Sequence, residues 1–435
     1  RSTFMFGNTI ARSPTAHVGS GLGPGLPQGT ISLIAPTEEI SGRGTQRVVD
    51  GVTIEFIDAA GTEAPAEFMF YLPERRALCT AEVVTATFHN LLTPRGAKVR
   101  DALGWTRAID YVLETYGDKS DYVFASHHWP TWGQENVESL LTQQRDIYRY
   151  VHDQTLRNAN GGATMFEAAE AVEEPAFESD ASAFNTRGYY GTLNHNSKAV
   201  YQYYFGWWGG VPADYNALPH VVTASRYVEA MGGADATLAL GAKAFDAGDF
   251  RWAAEVFNHV VFADPENEAG RKWLAATYEQ LGFQAESGAW RSYYLVGANE
   301  LRNGIPNIGN PQLGNPEFLR AVDSMDLMDS LAARFNPAKM TGDPFNVNLV
   351  FPDRDETVTL QIGKSVMVPR AGASDPATVT LTVDRSVFDL VLLGKTTLPE
   401  QLGAGVAEVA GDPAALNAFF GTLDQPEFWF PVVTP

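Results

Sequence analysis

The spacing of apolar residues changes twice along this 435-residue chain, and each change limits what the corresponding segment can fold into. In residues 1–130, short runs typical of strands alternate with turn residues, and few helical patterns occur before Lys98. Residues 133–303 carry apolar side chains at helical intervals. After a stretch rich in Gly, Pro and Asn at 303–316, strand and helix patterns alternate again. These changes predict three domains.

The first region reads as a sheet with a helix packed against it. Strands are predicted over 52–58, 67–72, 77–84 and 122–125, and a helix is predicted over 98–116. Because strands and a helix alternate here, we expect an α/β layer.

The middle region is predicted to be helical throughout. A long amphipathic helix is predicted over 133–158, and helical patterns continue to about Asn303. Two hairpins of the tetratricopeptide type, 34 residues apart, are indicated by Gly248, Ala253, Phe257 and Pro265 and by Leu274, Tyr278 and Gly282. Two units are too few for a solenoid, so the pattern favours a module used for association over a peptide-binding groove.

The last region combines strands with short helices. Strands are predicted over 346–351, 357–362, 365–368, 378–383 and 406–409, and helices over 319–335, 386–393, 398–402 and 413–423. This mixture predicts a small α+β domain.

Composition excludes several classes of partner. Lys and Arg number 31 against 52 Asp and Glu, which gives a net charge of −21 and argues against nucleic acid or an anionic membrane as partner. No window approaches the roughly 18 consecutive apolar residues of a membrane span. The single cysteine, Cys79, excludes an intrachain disulfide and is predicted to be a buried core thiol.

Acidic and imidazole side chains accompany the predicted strands of the first region. Glu63 follows one strand, and Glu82 lies inside another that is otherwise apolar. His127 and His128 end a third strand. A carboxylate that faces an apolar layer is costly unless it is paired or binds a cation, and carboxylates with imidazole are ligands that zinc accepts. Two interpretations stay open: a metal site, or a solvated Glu63 with Glu82 pointing outward from an edge strand.

A short loop after the Glu82 strand carries an amide and a guanidinium. Asn90 and Arg95 flank the four residues Leu91, Leu92, Thr93 and Pro94. Both side chains donate hydrogen bonds, so the loop suits an oxyanion such as sulfate or carboxylate. The alternative is an arginine packed over the loop.

A dense group of aromatic residues follows later in the chain. The group comprises Tyr201, Tyr203, Tyr204, Phe205, Trp207 and Trp208. It could line an apolar substrate channel, and buried packing or an interface explains it equally well.

Read together, these features resemble one family. The stretches that carry the resemblance are VGSGLGP at 18–24, TEAPAE at 62–67, RRALCTAE at 75–82, HNLLTPRG at 89–96 and ASHHWP at 125–130. Further stretches are residues 145–158, RGYYG at 187–191, the 34-residue helical units and FWFPVVTP at 428–435. Over essentially its whole length, the chain resembles the alkylsulfatases of the metallo-β-lactamase superfamily, which hydrolyse alkyl sulfate esters such as detergents.

The resemblance implies a domain plan. Residues 1–165 would form the C-terminal half of a metallo-β-lactamase αββα sandwich. Residues 166–303 would form a helical, tetratricopeptide-like dimerisation domain, and residues 316–435 a sterol-carrier-protein-like α+β domain. A homodimer is therefore expected, and the family's export signals favour a periplasmic or secreted location, which the sequence itself does not decide.

The resemblance also implies a site and a reaction. In the family, the positions of Glu63, Glu82 and His127 are ligands of a binuclear zinc centre, with Glu82 bridging the two ions. The loop from Asn90 to Arg95 matches the sulfate-binding segment, and Arg95 would stabilise charge on the departing sulfate. The implied activity is zinc-dependent hydrolysis of alkyl sulfate esters to an alcohol and inorganic sulfate, with Glu63, Glu82 and Arg95 as catalytic residues.

One departure from the family pattern matters. The remaining zinc ligands of the family come from a His-x-His-x-Asp-His motif, which occurs nowhere between Arg1 and Pro435. Three ligands cannot fill two zinc sites, and the chain begins with Arg rather than Met, so we expect the C-terminal portion of a longer enzyme. The competing hypothesis is a homologue without the full metal site, acting as a non-catalytic dimeric scaffold or a binder of apolar ligands.

Overall fold

The computed structural model describes residues 1–25, 32–175, 184–306 and 315–435. The chain divides into two compact units, the first comprising residues 1–27, 39–306 and 431–435 and the second residues 28–38 and 307–430. The first unit holds both the predicted α/β layer and the predicted helical module. Most of the crossing predicted at 303–316 lies outside the described residues. Within the described ranges, no helix combines the length and apolar character needed to cross a bilayer.

A six-stranded sheet forms the base of the first unit. Its strands lie side by side in chain order: β1 Arg43–Val49, β2 Val52–Asp58, β3 Phe68–Leu72, β4 Ala77–Cys79, β5 Tyr122–Phe124 and β6 Thr131–Trp132. Neighbours are antiparallel except β4 and β5, which are parallel. Strands β2, β4 and β5 therefore run in one direction, and their carboxyl ends meet at the same end of the sheet.

Helices share a core with this sheet. A short helix α1 (Ser2–Phe6) opens the chain, and the long helices α2 (Ala102–Tyr116) and α3 (Gln134–Asn160) pack on each other. Their contact includes the stacked rings of Trp105 and Tyr148, with centroids 4.7 Å apart. Helix α2 begins four residues later than predicted, because the Asp101 side chain accepts a hydrogen bond from the Leu103 amide and caps the helix.

The strand predicted over 77–84 is wrong beyond its third residue. Strand β4 ends at Cys79, which is buried as predicted, and burial raises the pKa of its thiol. Ala81 takes a left-handed conformation with φ of 47°, and the amide of Val83 donates to the carbonyl of Thr80. The chain therefore turns, and Glu82 lies in a turn rather than inside a strand.

The described residues from Met165 to Asn303 are mainly helical, as predicted. Its helices are α4 Met165–Ala171, α5 Leu193–Phe205, α6 His220–Ala230, α7 Ala234–Asp246, α8 Phe250–Ala263, α9 Glu268–Gln284 and α10 Gly288–Asn303. Helices α7 and α8 pack closely because Gly241 has no side chain: a Cβ there would lie 2.4 Å from the ring of Phe257. The tetratricopeptide-like assignment stays a prediction.

The second unit is the α+β domain that the pattern predicts. Its strands are β7 Phe345–Phe351, β8 Glu356–Ile362, β9 Met367–Ala371, β10 Val379–Val383 and β11 Ala407–Gly411, in the order β11-β10-β7-β8-β9. Its helices are α11 Pro316–Ala321, α12 Ser324–Ala332, α13 Arg385–Leu392, α14 Leu398–Gly403 and α15 Pro413–Gly421. The single helix predicted over 319–335 is wrong, because Asp323 leaves the helical conformation and caps α12.

Arg385 anchors the helices of the second unit. Its side chain is fully buried, and its guanidinium donates to Asp389 Oδ1, to Ser324 Oγ and to the carbonyl of Leu319, each at 2.8 Å. The other carboxylate oxygen of Asp389 is buried without a partner among the described residues. Removing the guanidinium would leave a buried charge uncompensated.

Arg385→Ala is expected to lower the free energy of unfolding of the second unit by about 3–5 kcal/mol, because a buried carboxylate loses its counter-ion. Urea denaturation monitored by hydrogen exchange of the β7 amides measures this sheet separately from the first unit. Lys339→Ala removes the half-exposed ion pair with Asp424 and serves as the control. Equal effects of the two changes would contradict the anchoring role of Arg385.

Candidate active site

A cavity of about 630 Å³ lies at the end of the first unit's sheet where β2, β4 and β5 end. Its wall combines the N-terminal segment, the turns after these strands and the loop after Glu82. The lining residues are Phe6, Ser20, Leu22, Gly23, Pro24, Gly25, Glu63, Glu82, His89, Arg95, Arg100, Ser126, His127, His128, Trp129 and Tyr190. Glu63, Glu82, Arg95 and His127, which the sequence singles out, therefore lie in one cavity.

Strand direction explains why these residues meet. Glu63 lies in the turn after β2, Glu82 in the turn after β4 and His127 just beyond β5. The amide of Ser126 donates to the carbonyl of Ala81 at 2.9 Å, which ties the last two turns together. The common direction of these strands thus brings Glu63, Glu82 and His127 to one end of the sheet, although they are far apart in sequence.

Glu82 is held by two imidazoles. Its Oε1 lies 2.6 Å from His127 Nε2 and 3.7 Å from His89 Nε2. The hydrogen bond with His127, and secondarily the nearby imidazole of His89, holds the pKa of Glu82 far below its usual range. The same bond raises the pKa of His127. Glu82 is therefore an anion at neutral pH, and His127 is its main partner.

Glu63 is held by Arg100. Arg100 Nη2 donates to Glu63 Oε1, and both side chains are largely buried. Arg100 Nη1 also donates to the carbonyl of Asn90 at 2.6 Å and lies 3.2 Å from His89 Nδ1. One guanidinium therefore connects the acidic turn, a histidine and the start of the Asn90–Arg95 loop.

A third carboxylate completes the acidic cluster. Glu67 Oε1 accepts a hydrogen bond of 3.3 Å from the amide of Glu82. Burial, together with the neighbouring carboxylates of Glu63 and Glu82, raises the pKa of Glu67 to about 7. Close to neutral pH this group exchanges its proton, so the cluster carries less negative charge than three carboxylates would suggest.

Three of these residues form a group that could hold a metal ion. One ligand atom from each of Glu63, Glu82 and His89 lies within 4.8 Å of the others. His89 Nε2 is buried and makes no hydrogen bond within the described part of the chain, although buried ring nitrogens normally have a partner. Carboxylate and imidazole are donor types that zinc prefers, so these residues fit such an ion.

The Asn90–Arg95 loop has every carbonyl from Asn90 to Pro94 hydrogen-bonded. The donors are Arg100 Nη1 to Asn90, the Arg100 amide to Leu91, His195 Nε2 to Leu92, the Gly96 amide to Thr93 and the Tyr293 hydroxyl to Pro94. By contrast, the amides of Leu92, Thr93 and Arg95 make no hydrogen bond to another described residue. The Asn90 side-chain nitrogen is likewise buried and unpartnered. The main chain of the loop therefore offers amide donors, while its carbonyls from Asn90 to Pro94 are occupied, which suits an anion.

Apolar groups line the rest of the cavity. Phe6, Leu22 and Pro24 come from the N-terminal segment, Trp129 follows the histidines, and Tyr190 is buried in the wall. The glycine-rich stretch at 18–24 therefore contributes to the cavity wall. A charged head and an apolar tail could both be accommodated in this cavity.

The sequence did not point to His89, Arg100 or Glu67 as site residues. His89 has no metal-ligand spacing to another histidine, and its proximity to Glu82 arises from the fold alone. Arg100 lies in the first turn of the helix predicted over 98–116, with no motif around it. Glu67 lies inside the stretch TEAPAE at 62–67, so that motif was an available signal.

The aromatic group lies apart from this cavity. Tyr201 is buried, but Tyr203, Tyr204, Phe205 and Trp207 are each at least 44% exposed, and none of them lines the cavity. The positions of these aromatic residues therefore do not support a role in a substrate channel to this cavity. Large exposed aromatic residues in one short segment are typical of an interface.

Two sequence families match the chain. The family described as alkyl sulfatase dimerisation matches residues 164–304. The family described as alkyl sulfatase C-terminal matches residues 312–435. Both agree with the resemblance that the motifs carry.

Individual alkylsulfatases match the chain from end to end. A linear primary-alkylsulfatase of Pseudomonas sp. is 43% identical over 436 residues, covering 100% of this chain and 64% of that protein. An alkyl/aryl-sulfatase of Saccharomyces cerevisiae is 40% identical, covering 100% of this chain and 67% of that protein. The solved structure of the stereoselective inverting sec-alkylsulfatase Pisa1 from Pseudomonas sp. matches with a TM-score of 0.94 at 37% identity, covering 100% of this chain and 68% of that one.

This chain thus spans about two thirds of the length of each of these relatives. Within that span, sequence identity and backbone agreement extend across both compact units. The chain belongs to the alkylsulfatase family.

Proposed function

We propose that this chain takes part in the zinc-dependent hydrolysis of alkyl sulfate esters to an alcohol and inorganic sulfate. The observation that carries the proposal is that a carboxylate and imidazole cluster and Arg95 line one cavity, and that the loop ending at Arg95 has free amide donors. The first suits a divalent cation and the second suits a sulfate group. The relatives named alkylsulfatases support the same reading.

The zinc ligands from this chain would be Glu63, Glu82 and His127, with His89 as a further candidate because its Nε2 makes no hydrogen bond to a described residue and lies 3.7 Å from Glu82 Oε1. Arg100 would hold Glu63 in place through Oε1. The other carboxylate oxygen of Glu63 makes no hydrogen bond to a described residue, so it would bind the ion. When bound, zinc supplies Lewis acidity, which makes water a nucleophile near neutral pH and polarises ester oxygens.

Arg95, the loop that it ends and the apolar wall of the cavity would bind and orient the ester. The amides of Thr93 and Arg95, the Asn90 side chain and the Arg95 guanidinium would hold the sulfate oxygens, and Arg95 would balance charge as sulfate leaves. The apolar wall formed by Phe6, Leu22 and Trp129 would hold the alkyl chain away from water.

The complete site requires ligands that this sequence does not contain. The His-x-His-x-Asp-His motif of the family is absent from the 435 residues. We therefore place this chain as the C-terminal portion of the working enzyme, with the motif supplied by a further segment. If the chain neither binds zinc nor supports sulfate release, the alternative function is a dimeric scaffold or a binder of apolar ligands.

A homodimer forms part of the proposal. The exposed aromatic residues of α5 and the following turn lie in the range that the dimerisation family matches. Trp207 is 66% and Tyr215 is 64% exposed, and their rings stack with centroids 6.2 Å apart. A second copy of the chain would bury this patch.

Zinc binding and sulfate release are expected to occur together. Combined with a segment that carries the His-x-His-x-Asp-His motif, the purified chain is expected to hold about two zinc ions and to release sulfate from dodecyl sulfate. Metal analysis and ion chromatography measure the two quantities, and a chelator should abolish both. Absence of zinc and of sulfate release in this combined preparation would favour the non-catalytic alternative.

Substitutions of Glu82 and Arg95 are expected to separate metal binding from sulfate binding. In the active preparation, Glu82→Ala is expected to lose zinc and to slow turnover at least about 100-fold, because a metal ligand is removed. Arg95→Ala is expected to slow turnover about 10²–10³-fold with zinc retained, because it removes a donor to the departing sulfate. Glu55→Gln, a half-buried carboxylate of β2 outside the cavity, is the control. Wild-type activity in both variants would refute the assigned roles.

The chain is expected to form a homodimer in solution. Light scattering should give twice 47.3 kDa, about 95 kDa, for the purified chain. Trp207→Ser combined with Tyr215→Ser should shift the mass towards the monomer, whereas Trp132→Ser, at another exposed tryptophan, should not. A monomer near 47.3 kDa in the unaltered chain would rule out the interface.

A further inference from the structure

Side chains of the helical module form hydrogen bonds with the Asn90–Arg95 loop, which we propose binds sulfate. Asn196 of α5 is fully buried, and its Nδ2 donates to the carbonyl of His89 while its Oδ1 accepts from the amide of Leu91, both at 2.8 Å. These two bonds bracket Asn90. The segment before α5 fits closely as well, because a Cβ on Gly191 would lie 2.3 Å from the His89 carbonyl oxygen.

Two further side chains of the module bind carbonyl oxygens of the same loop. His195 Nε2 lies 2.6 Å from the carbonyl of Leu92, and the Trp290 indole donates to His195 Nδ1 at 3.3 Å. Because an indole N–H can only donate, Nδ1 must accept, so Nε2 carries the proton and donates to Leu92. The hydroxyl of Tyr293 on α10 donates to the carbonyl of Pro94 at 2.9 Å.

These bonds fix the direction of the opposite groups. In a trans peptide, the carbonyl and the amide of one unit point to opposite sides. The carbonyls of Leu92 and Pro94 point to the helical module, so the amides of Thr93 and Arg95 point away from it. The two sides are also distinct spaces: Pro94 lines a cleft of about 270 Å³ with His195 and Tyr293, whereas Arg95 lines the cavity of Glu63 and Glu82.

We propose that His195 and Tyr293, together with Asn196, are positioning residues that keep the amide donors of the Asn90–Arg95 loop directed at the sulfate group. This inference rests on the proposed function. If either peptide unit turned over, a carbonyl would replace an amide in the anion site and repel the sulfate oxygens. All three residues lie in the range matched by the dimerisation family, so that region also shapes the substrate site.

The test uses the purified chain with inorganic sulfate as the probe. Tyr293→Phe removes only the hydroxyl, and Tyr294→Phe changes a neighbouring tyrosine that lines the same cleft without bonding the loop. His195→Leu removes the donor to Leu92, and His195→Gln restores an N–H donor. Tyr293→Phe and His195→Leu are each expected to weaken sulfate binding about fivefold, with Tyr294→Phe and His195→Gln close to the unaltered chain.

Hydrogen exchange provides a second measurement that needs no bound sulfate. The amides of Leu91, Gly96 and Arg100 are hydrogen-bonded within or onto the loop, and they should exchange faster in Tyr293→Phe and His195→Leu at unchanged thermal stability. Unchanged exchange and unchanged sulfate affinity in Tyr293→Phe would overturn the inference, even where His195→Leu fails to fold. Failure of the unaltered chain to bind sulfate would count against the proposed function instead, and loop exchange would still decide the positioning role.

Discussion

Three carboxylates that share one half-buried cluster repel each other, and the surrounding structure offsets that repulsion at each of them. Arg100 donates to Glu63, and His127 with His89 lowers the pKa of Glu82. Glu67 forms no ion pair with a described residue, and burial together with the neighbouring carboxylates raises its pKa to about 7. These partners come from different parts of the chain, so the cluster exists only when the end of the sheet and the following loop are both formed.

Arg100 connects the acidic cluster to the loop that we propose for sulfate. Its guanidinium holds Glu63 and the Asn90 carbonyl, and its amide holds the Leu91 carbonyl. The helical module holds the loop from the other side through Asn196. The acidic cluster and the Arg95 end of the loop therefore line one cavity, as the binding of a cation and an anion side by side would require. In a chain of net charge −21, positive groups must be concentrated locally in this way.

Much of the fold could be predicted because local signals agree with tertiary packing. The strand over 52–58 and the long helix near 133–158 follow from periodicity alone. The strand predicted over 77–84 and the single helix predicted over 319–335 were wrong, because one residue overrides the periodic pattern in each. Ala81 turns the chain within an apolar run, and Asp323 caps a new helix inside a helical one. Alanine gives no sign of a left-handed turn, whereas aspartate is a preferred N-cap residue, so Asp323 was an available signal within the helical pattern.

The sequence by itself determined the family, the ligand types and the loop that carries Asn90 and Arg95, because these depend on residues in short contiguous motifs. Only the tertiary structure decided that Glu63, Glu82 and His127 meet, since this depends on the common direction of β2, β4 and β5. It also brought His89 and Arg100 to the cluster, and it set which way the loop's peptides face. Peptide direction depends on donors such as Tyr293, about 200 residues away in sequence, and no local pattern encodes a hydrogen bond over that separation.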